Sequence, residues 1–229
     1  MCGRFTQSYS WAEIHNFYNL LNDLAPNLKP SWNVAPTQDI GVIGAKDGGL
    51  GFTRMRWGLV PYWAKDVAIG GRLINARADT AAEKPAFRDA FRKRRCIIPA
   101  SGFFEWQGSG KAKTPWHITS ASGEPLSLAG LWDRWRMPDG EWLHTATILT
   151  TEANDTMRPL HHRMPVIVAR SDIKSWLRGT DASLLSPYPD DRLTAWPVST
   201  LVNAAKNDGP NLIEAAVPSS LFHEARPGC

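Results

Sequence analysis

Most apolar positions of this chain fall in short runs bounded by turn residues, and only a few stretches space them at helical period. A short strand is predicted around Arg4-Phe5-Thr6. A helix follows, because Ser10-Trp11-Ala12-Glu13 has capping-box spacing and Ile14, Phe17, Tyr18, Leu21 and Leu24 recur at helical period. Pro26, Pro30 and Pro36 break up the connection that comes next. Short apolar runs bounded by Gly, Pro, Asp or Ser predict strands over 40–43, 53–57, 96–98, 103–106, 116–119, 126–131, 143–149, 166–169 and 193–198. Helices are expected over 85–93, with Phe87, Ala90 and Phe91 inward, over 172–177, and as short pieces near 211–216 and 219–224. There is no internal repeat, no low-complexity segment and no linker-like stretch. Regular β-α alternation is also absent, which argues against a doubly wound parallel sheet. The expected fold is α+β, a single domain over residues 1–229 with a curved, largely antiparallel, barrel-like sheet core flanked by a few short helices.

Composition narrows the class. With 229 residues, 43% apolar and 21% charged, the chain is neither disordered, collagen-like nor coiled coil. No stretch approaches the ~20 apolar residues of a membrane span, and the first residues form no signal-peptide apolar region. Cys2, Cys96 and Cys229 are scattered and include no C-x-x-C pair, so neither a disulfide framework nor a metal site is expected, and a cytoplasmic setting is. The net charge of +4 is uneven: Lys84, Arg88, Arg92, Lys93, Arg94 and Arg95 face only Asp89. The ordinary reading of such a run is a solvated helix face, the sharper one a phosphate-attracting patch. Eleven tryptophans bear on the same choice, since rings beside cations are what single-stranded nucleic acid needs for base stacking. Trp57, Trp132 and Trp176 read as core.

Candidate chemistry starts at Cys2. Once Met1 is removed, Cys2 carries an α-amine and a thiol two carbons apart, a pair that can attack one aldehyde twice. The amine gives a Schiff base and the thiol closes a five-membered thiazolidine; both nucleophilic forms are accessible near neutral pH. Met-Cys-Gly also opens the class II glutamine amidotransferases, which use such a cysteine for amide hydrolysis. Taken alone, Cys2 is simply the residue after the start codon. Glu105, between Phe104 and Trp106, reads alone as an exposed strand carboxylate. His161 and His162 are adjacent, so an extended chain points them apart. Cys96 reads as an inert buried thiol, and His15, His117, His144 and His223 as surface or packing residues.

The motifs decide more together than singly. Met1-Cys2-Gly3-Arg4-Phe5 is followed by Asn33-Val34-Ala35-Pro36-Thr37, Trp57-Gly58-Leu59-Val60-Pro61-Tyr62-Trp63 and Asn75-Ala76-Arg77. Arg95-Cys96-Ile97-Ile98-Pro99-Ala100, Gly102-Phe103-Phe104-Glu105-Trp106, His161-His162-Arg163-Met164-Pro165 and Val198-Ser199 with Lys206-Asn207-Asp208 complete the series. In this order they strongly resemble the SRAP family (SOS-response-associated peptidase), the abasic-site processing proteins. The resemblance covers residues 1 to about 214 and leaves 215–229 as a C-terminal extension.

That resemblance implies a thiazolidine between processed Cys2 and the ring-opened aldehyde of an abasic site in single-stranded DNA. It implies that Glu105 moves protons at the amine and sugar oxygens and helps release Met1, that His161 is a general acid/base at the sugar and in crosslink reversal, and that Asn75 orients the reacting N-terminus. It further implies phosphate contacts from Arg4, Arg77 and Arg163, and a DNA-facing lining from Asn33, Trp63 and Trp106. Single-stranded DNA containing abasic sites is the expected partner, with nucleoid association when bound. No cofactor, metal or membrane is expected, and the expected assembly is a monomer. Asp79 departs from the family's usual Glu, and Ala64 from a second tryptophan in some members; both bear on substrate context. Two alternatives stand beside this reading: an N-terminal-nucleophile cysteine peptidase or amidohydrolase, and a non-covalent single-stranded DNA binding module.

Overall fold

Two sheets share one core. The computed structural model describes residues 2–21, 29–110, 113–179 and 182–216. In chain order the elements are β1 (Phe5–Gln7), α1 (Trp11–Tyr18), β2 (Ser31–Val34), β3 (Asp39–Lys46), β4 (Gly49–Trp57), β5 (Asn75–Arg77), α2 (Arg88–Lys93) and β6 (Arg95–Ala100). There follow β7 (Gly102–Gln107), β8 (Thr114–Ser120), β9 (Leu126–Arg136), β10 (Trp142–Glu152), β11 (Arg163–Pro165), α3 (Ile173–Arg178) and β12 (Leu193–Pro197). The first sheet runs β12-β8-β7-β1-β2, antiparallel throughout. In the second, β10-β4-β3-β6-β9 closes on itself through the β9–β10 pairing, so these strands form a barrel, with β5 and β11 added along β10. The expected α+β fold is therefore found. Its pairings are antiparallel except where β10 runs parallel to β4 and β5.

Local chemistry sets the ends of α1. The Ser10 hydroxyl accepts from the Glu13 N–H at 3.3 Å, and the Glu13 carboxylate accepts from the Ser10 N–H at 2.8 Å, the reciprocal bonds of a capping box. Asn19 in the left-handed region then ends the helix, earlier than the apolar period suggested. Leu21 lies beyond that end and is exposed, and Leu24 falls outside the described residues. The strand expected over 166–169 is shifted: β11 takes 163–165, and Val166 and Ile167 continue as bridging residues between Leu149, Ala129 and Leu128. The piece near 211–216 is a 3-10 turn over Pro210–Ile213, and that near 219–224 lies outside the described residues.

Helices α1, α2 and α3 cover the outside of the barrel through Ile14, Tyr18, Ala90, Ile173 and Trp176. Between barrel and first sheet lies the other core, where Phe5 and Phe103 meet Trp57, Ile98 and Ile148. Phe5 meets Trp57 edge-on at 4.9 Å. Gln7 ties the layers polarly: its amide nitrogen donates to the carbonyls of Gly41 and Pro99, and its oxygen accepts from the Gly41 N–H. The basic run divides. Arg95 is buried with its guanidinium over Phe91 and Trp176, Arg94 pairs with Asp133 at 3.3 Å, and the remaining cations of the run are exposed. Trp57 and Trp176 are core as expected, whereas Trp132 is half-buried. Among the described residues no helix is long and apolar enough to cross a membrane.

One buried group makes this packing sensitive to acid. His117 on β8 is buried against Phe104 and Trp196, and neither ring nitrogen has a hydrogen-bond partner among the described residues. Burial lowers its pKa from 6.5 to about 4. The unfolded chain therefore takes up this proton first. Stability from the neutral ring is complete above about pH 6.5 and declines as pH falls toward 4, by up to about 3 kcal/mol. Urea midpoints compared at about pH 7 and about pH 4.5 should drop less in His117→Phe than in the parent protein. An equal drop in both would remove His117 as the cause.

Candidate active site

Cys2 is fully buried although it stands at the very start of the described chain. It packs in the core between barrel and sheet, just ahead of β1. The amide of Asn75, at the start of β5, donates to the Cys2 carbonyl at 2.8 Å, and the Cys2 thiol lies 3.7 Å from the Arg4 carbonyl. Asn75 is thus placed to hold the chain start. Burial pushes the thiol pKa up, and the neighbouring Glu105 carboxylate pushes it further. The sulfur is a protonated thiol, not a resting thiolate.

Glu105 lies on β7, the strand beside β1. Strand alternation does separate it from Phe104, which packs with Val198 and Val202. The opposite face is not solvent, however: it is the face of Phe103, turned to the barrel. Glu105 is only 3% exposed, so the expectation of a surface carboxylate fails because a second layer covers that side. Burial raises its pKa above the ordinary carboxylate value. Such a carboxyl holds a proton more readily than an exposed one.

A cavity of about 380 Å³ opens in front of this carboxyl, lined by Glu105, Trp106, Lys113, His161 and Asn203. His161 Nδ1 lies 2.9 Å from the Arg163 backbone nitrogen and 3.1 Å from the Arg163 carbonyl oxygen, two backbone contacts that orient the ring. Burial lowers the His161 pKa, which favours the neutral form. His161 and His162 do not point apart. The chain bends there and the two rings stack 4.3 Å apart. Among the described residues no group of three or more His, Cys, Asp or Glu could hold a metal ion.

The residues expected to face DNA fall into two sets. Arg77, Trp63 and Trp106 are accessible to differing degrees. Arg77 is exposed and gripped at two points by Asp79, at 3.1 and 2.6 Å; the shorter carboxylate completes that pair. Trp63 is 49% exposed on a loop anchored by Asp133 to the Tyr62 N–H and by the Trp135 indole to the Ala64 carbonyl. Gly58 starts that loop with φ 117°, and a side chain there would strike the Gly70 carbonyl at 2.5 Å. Trp106 is half-buried, its indole N–H donating to Asn203 Oδ1 at 2.7 Å.

Asn33, Arg4 and Arg163 instead work inside. Asn33 is 1% exposed; its amide donates to the carbonyls of Val202, Ala204 and Asn207, and its oxygen accepts from Arg4. Arg4 also donates to the carbonyls of Val202 and Asn203. Together they hold the turn that carries Asn203 into the cavity wall. Arg163 is 5% exposed and donates to the Thr150 carbonyl and hydroxyl.

Lys113, Asn203 and Tyr62 were missed as site candidates. Lys113 ends a Gly- and Lys-rich loop whose only signal was that of a turn, and Asn203 sits in a segment without a chemical pattern. Tyr62, 58% exposed, had a signal in its place beside Trp63 in the Trp57–Trp63 motif.

The chain matches the SOS response associated peptidase (SRAP) family over residues 1–205. It is 44% identical to the abasic site processing protein YoqW of Bacillus subtilis, over 94% of this chain and 100% of that one. It is 30% identical to the abasic site processing protein HMCES of Xenopus tropicalis, over 82% of this chain and 67% of that one. A crystal structure of a Bacteroides thetaiotaomicron protein superposes with a TM-score of 0.84 at 28% identity, covering 94% of this chain and 100% of that one. A Bordetella bronchiseptica protein superposes at 0.77 and 30% identity, over 86% and 100%. With a buried cysteine at its start, a carboxyl and an imidazole around one cavity, and a family match over residues 1–205, the chain belongs to the SRAP family.

Proposed function

We propose that this protein binds single-stranded DNA and joins itself to abasic sites through Cys2. What supports the reading most is one juxtaposition: the second residue of the chain is held by Asn75 beside the buried carboxyl of Glu105. While Met1 is attached, the Cys2 nitrogen is an amide and cannot attack. Hydrolysis of the Met1–Cys2 bond, aided by Glu105, frees the α-amine. The amine nitrogen adds to the aldehyde carbon of the ring-opened abasic sugar, and Glu105 relays a proton to the oxygen. Loss of that oxygen as water leaves a Schiff base. Cys2 Sγ then adds to the same carbon while its proton passes to nitrogen, closing the thiazolidine; the net change is aldehyde plus aminothiol to thiazolidine plus water. A Schiff base alone hydrolyses or promotes β-elimination, and ring closure traps it. Elimination before closure is the secondary lyase activity, and His161 serves as general acid/base at the sugar oxygen and in the reverse reaction. No cofactor enters these steps.

DNA binding rests on the exposed groups. Arg77 exchanges Asp79 for a phosphate at little cost, because the ion pair is solvent-exposed. Arg4 and Arg163 add positive potential from beneath the surface. Trp63, with Tyr62 beside it, offers rings to unstacked bases. A peptidase acting on other chains draws less support, since it needs a thiolate that the raised thiol pKa disfavours, whereas ring closure passes the thiol proton to the Schiff-base nitrogen.

A denaturing gel with abasic single-stranded DNA is the direct test: the parent protein should give a heat-stable band, and a purely non-covalent binder should give none. Intact mass should relate band yield to the fraction lacking Met1. Full crosslinking by protein that retains Met1 would sink the mechanism.

The variants separate the roles. Cys2→Ala should lose the stable band yet form a borohydride-trappable adduct where Met1 is removed. Glu105→Gln should slow crosslinking by roughly 10²–10⁴-fold. His161→Ala should keep some crosslinking while impairing lyase activity and reversal more. If the Glu105 and His161 variants both match the parent in forward and reverse rates, the acid/base assignment is wrong.

Affinity for intact single-stranded DNA should fall steeply with salt, with a log–log slope of about −0.7 per phosphate contact. Arg77→Ala should reduce the slope by roughly one such increment. A salt-independent affinity would remove DNA from the partner list.

A further inference from the structure

The barrel opens at the end away from Cys2. Trp57 and Ile148 pack in the same core as Cys2, whereas Gly51 and His144, earlier on the same two strands, line a separate cavity of about 460 Å³. It exists because β4 pairs with β10 only at Arg56 and Trp57, leaving the first part of β4 splayed from the barrel wall. Small barrels normally fill such space with side chains. Here Gly44 and Gly51 line it, and a Cβ added at Gly44 would have nothing within 4 Å.

The lining has a definite chemistry. Lys46 from β3 and Lys93 from the end of α2 reach the cavity, and no Asp or Glu lines it. Among the described residues neither lysine has a carboxylate within ion-pair distance. Arg95 also borders the space, but its guanidinium lies over Phe91 and Trp176. The half-buried ring of Trp132 forms part of the wall, with the His144 ring 6.0 Å away and Met55 nearby.

We propose that this open barrel end is a second ligand site and that it takes a nucleotide, the base against Trp132 and the phosphate between Lys46 and Lys93. A phosphate alone leaves the apolar wall wet, and a bare ring leaves both ammonium groups without a counter-charge. The volume falls in the range of small-ligand sites and suits one nucleotide, not a duplex. The site is independent of Cys2 chemistry. Its ligand is either a free mononucleotide or one nucleotide of a strand passing the barrel end.

Amide and indole NMR signals of the full chain test this, with four probes: deoxyadenosine monophosphate, deoxyadenosine, inorganic phosphate and a short thymidine oligonucleotide. The monophosphate should shift Gly44, Gly51 and the Trp132 indole saturably, with the nucleoside and inorganic phosphate each at least about tenfold weaker. Lys46→Ala with Lys93→Ala, both surface changes, should weaken the monophosphate roughly five- to tenfold. Gly44→Leu should abolish the shifts by filling the space. Matching shifts from the oligonucleotide identify a strand as the source, and their absence a free nucleotide; either supports the site. Inorganic phosphate binding as tightly as the nucleotide, no saturable shift at these residues, or indifference to the lysine pair overturns the proposal.

Discussion

Cys2 has to be inside the protein, and most of the site follows from that constraint. A chain terminus is usually the least anchored part of a domain. Here the residue just behind it packs between two sheets, and Phe5, three residues on, meets Trp57 at the seam. Asn75 reaches this point because β5 runs parallel to β10, bringing the segment after β4 back beside the chain start. Gln7 extends the anchoring by answering backbone groups of β3 and β6 that would otherwise be buried unpaired. The beginning of the chain is therefore a core element, with its carbonyl, thiol and neighbouring carboxyl held in fixed relation.

The same burial sets the protonation states. Cys2 and Glu105 are both pushed toward their neutral forms by desolvation, and the charge on Glu105 adds to the effect at the thiol. His161 is pushed the other way, toward neutral imidazole, by the same physical cause. A site whose carboxyl, imidazole and thiol are all shifted toward their neutral forms suits addition to an aldehyde, where protons must move in both directions. The family name and relatives fix the broader role as abasic-site processing; the crosslinking steps are the reading this geometry supports.

The arginines illustrate how one residue type divides between surface and architecture. Arg77 is in solvent, whereas Arg4 and Arg163 hold backbone carbonyls, and Arg163 also aims His161 through its own N–H. Arg4 and Asn33 act through the Val202–Asn203 turn on Trp106, so a change at either would reach the cavity wall without touching its contents. Arg95 repeats the pattern behind the barrel, where two aromatic faces take its charge.

Much of this was legible in the chain. Short apolar runs between turn residues gave most strands within a few residues, the capping box at Ser10 gave α1, and the absence of β-α alternation argued against the doubly wound fold. The motif series identified the family, and with it Cys2, Asn75, Glu105 and His161 as a group. These signals are local, carried by spacing and side-chain chemistry. Tertiary structure alone decided the rest. Alternation told which face of β7 carries Glu105, but whether that face meets water depends on a barrel built from strands far away in sequence. The family resemblance implied DNA-facing roles for Asn33 and Arg163, but a motif marks residue type, not burial, and both spend their donors on backbone carbonyls inside the fold. Lys113 and Asn203 carried no pattern because one stands just ahead of β8 and the other ends a short 3-10 turn, and what such pieces pack against sets their place. Local sequence specifies elements and chemistry; burial is a property of the whole chain, and in this protein burial is the main cause of the shifts at Cys2, Glu105 and His161.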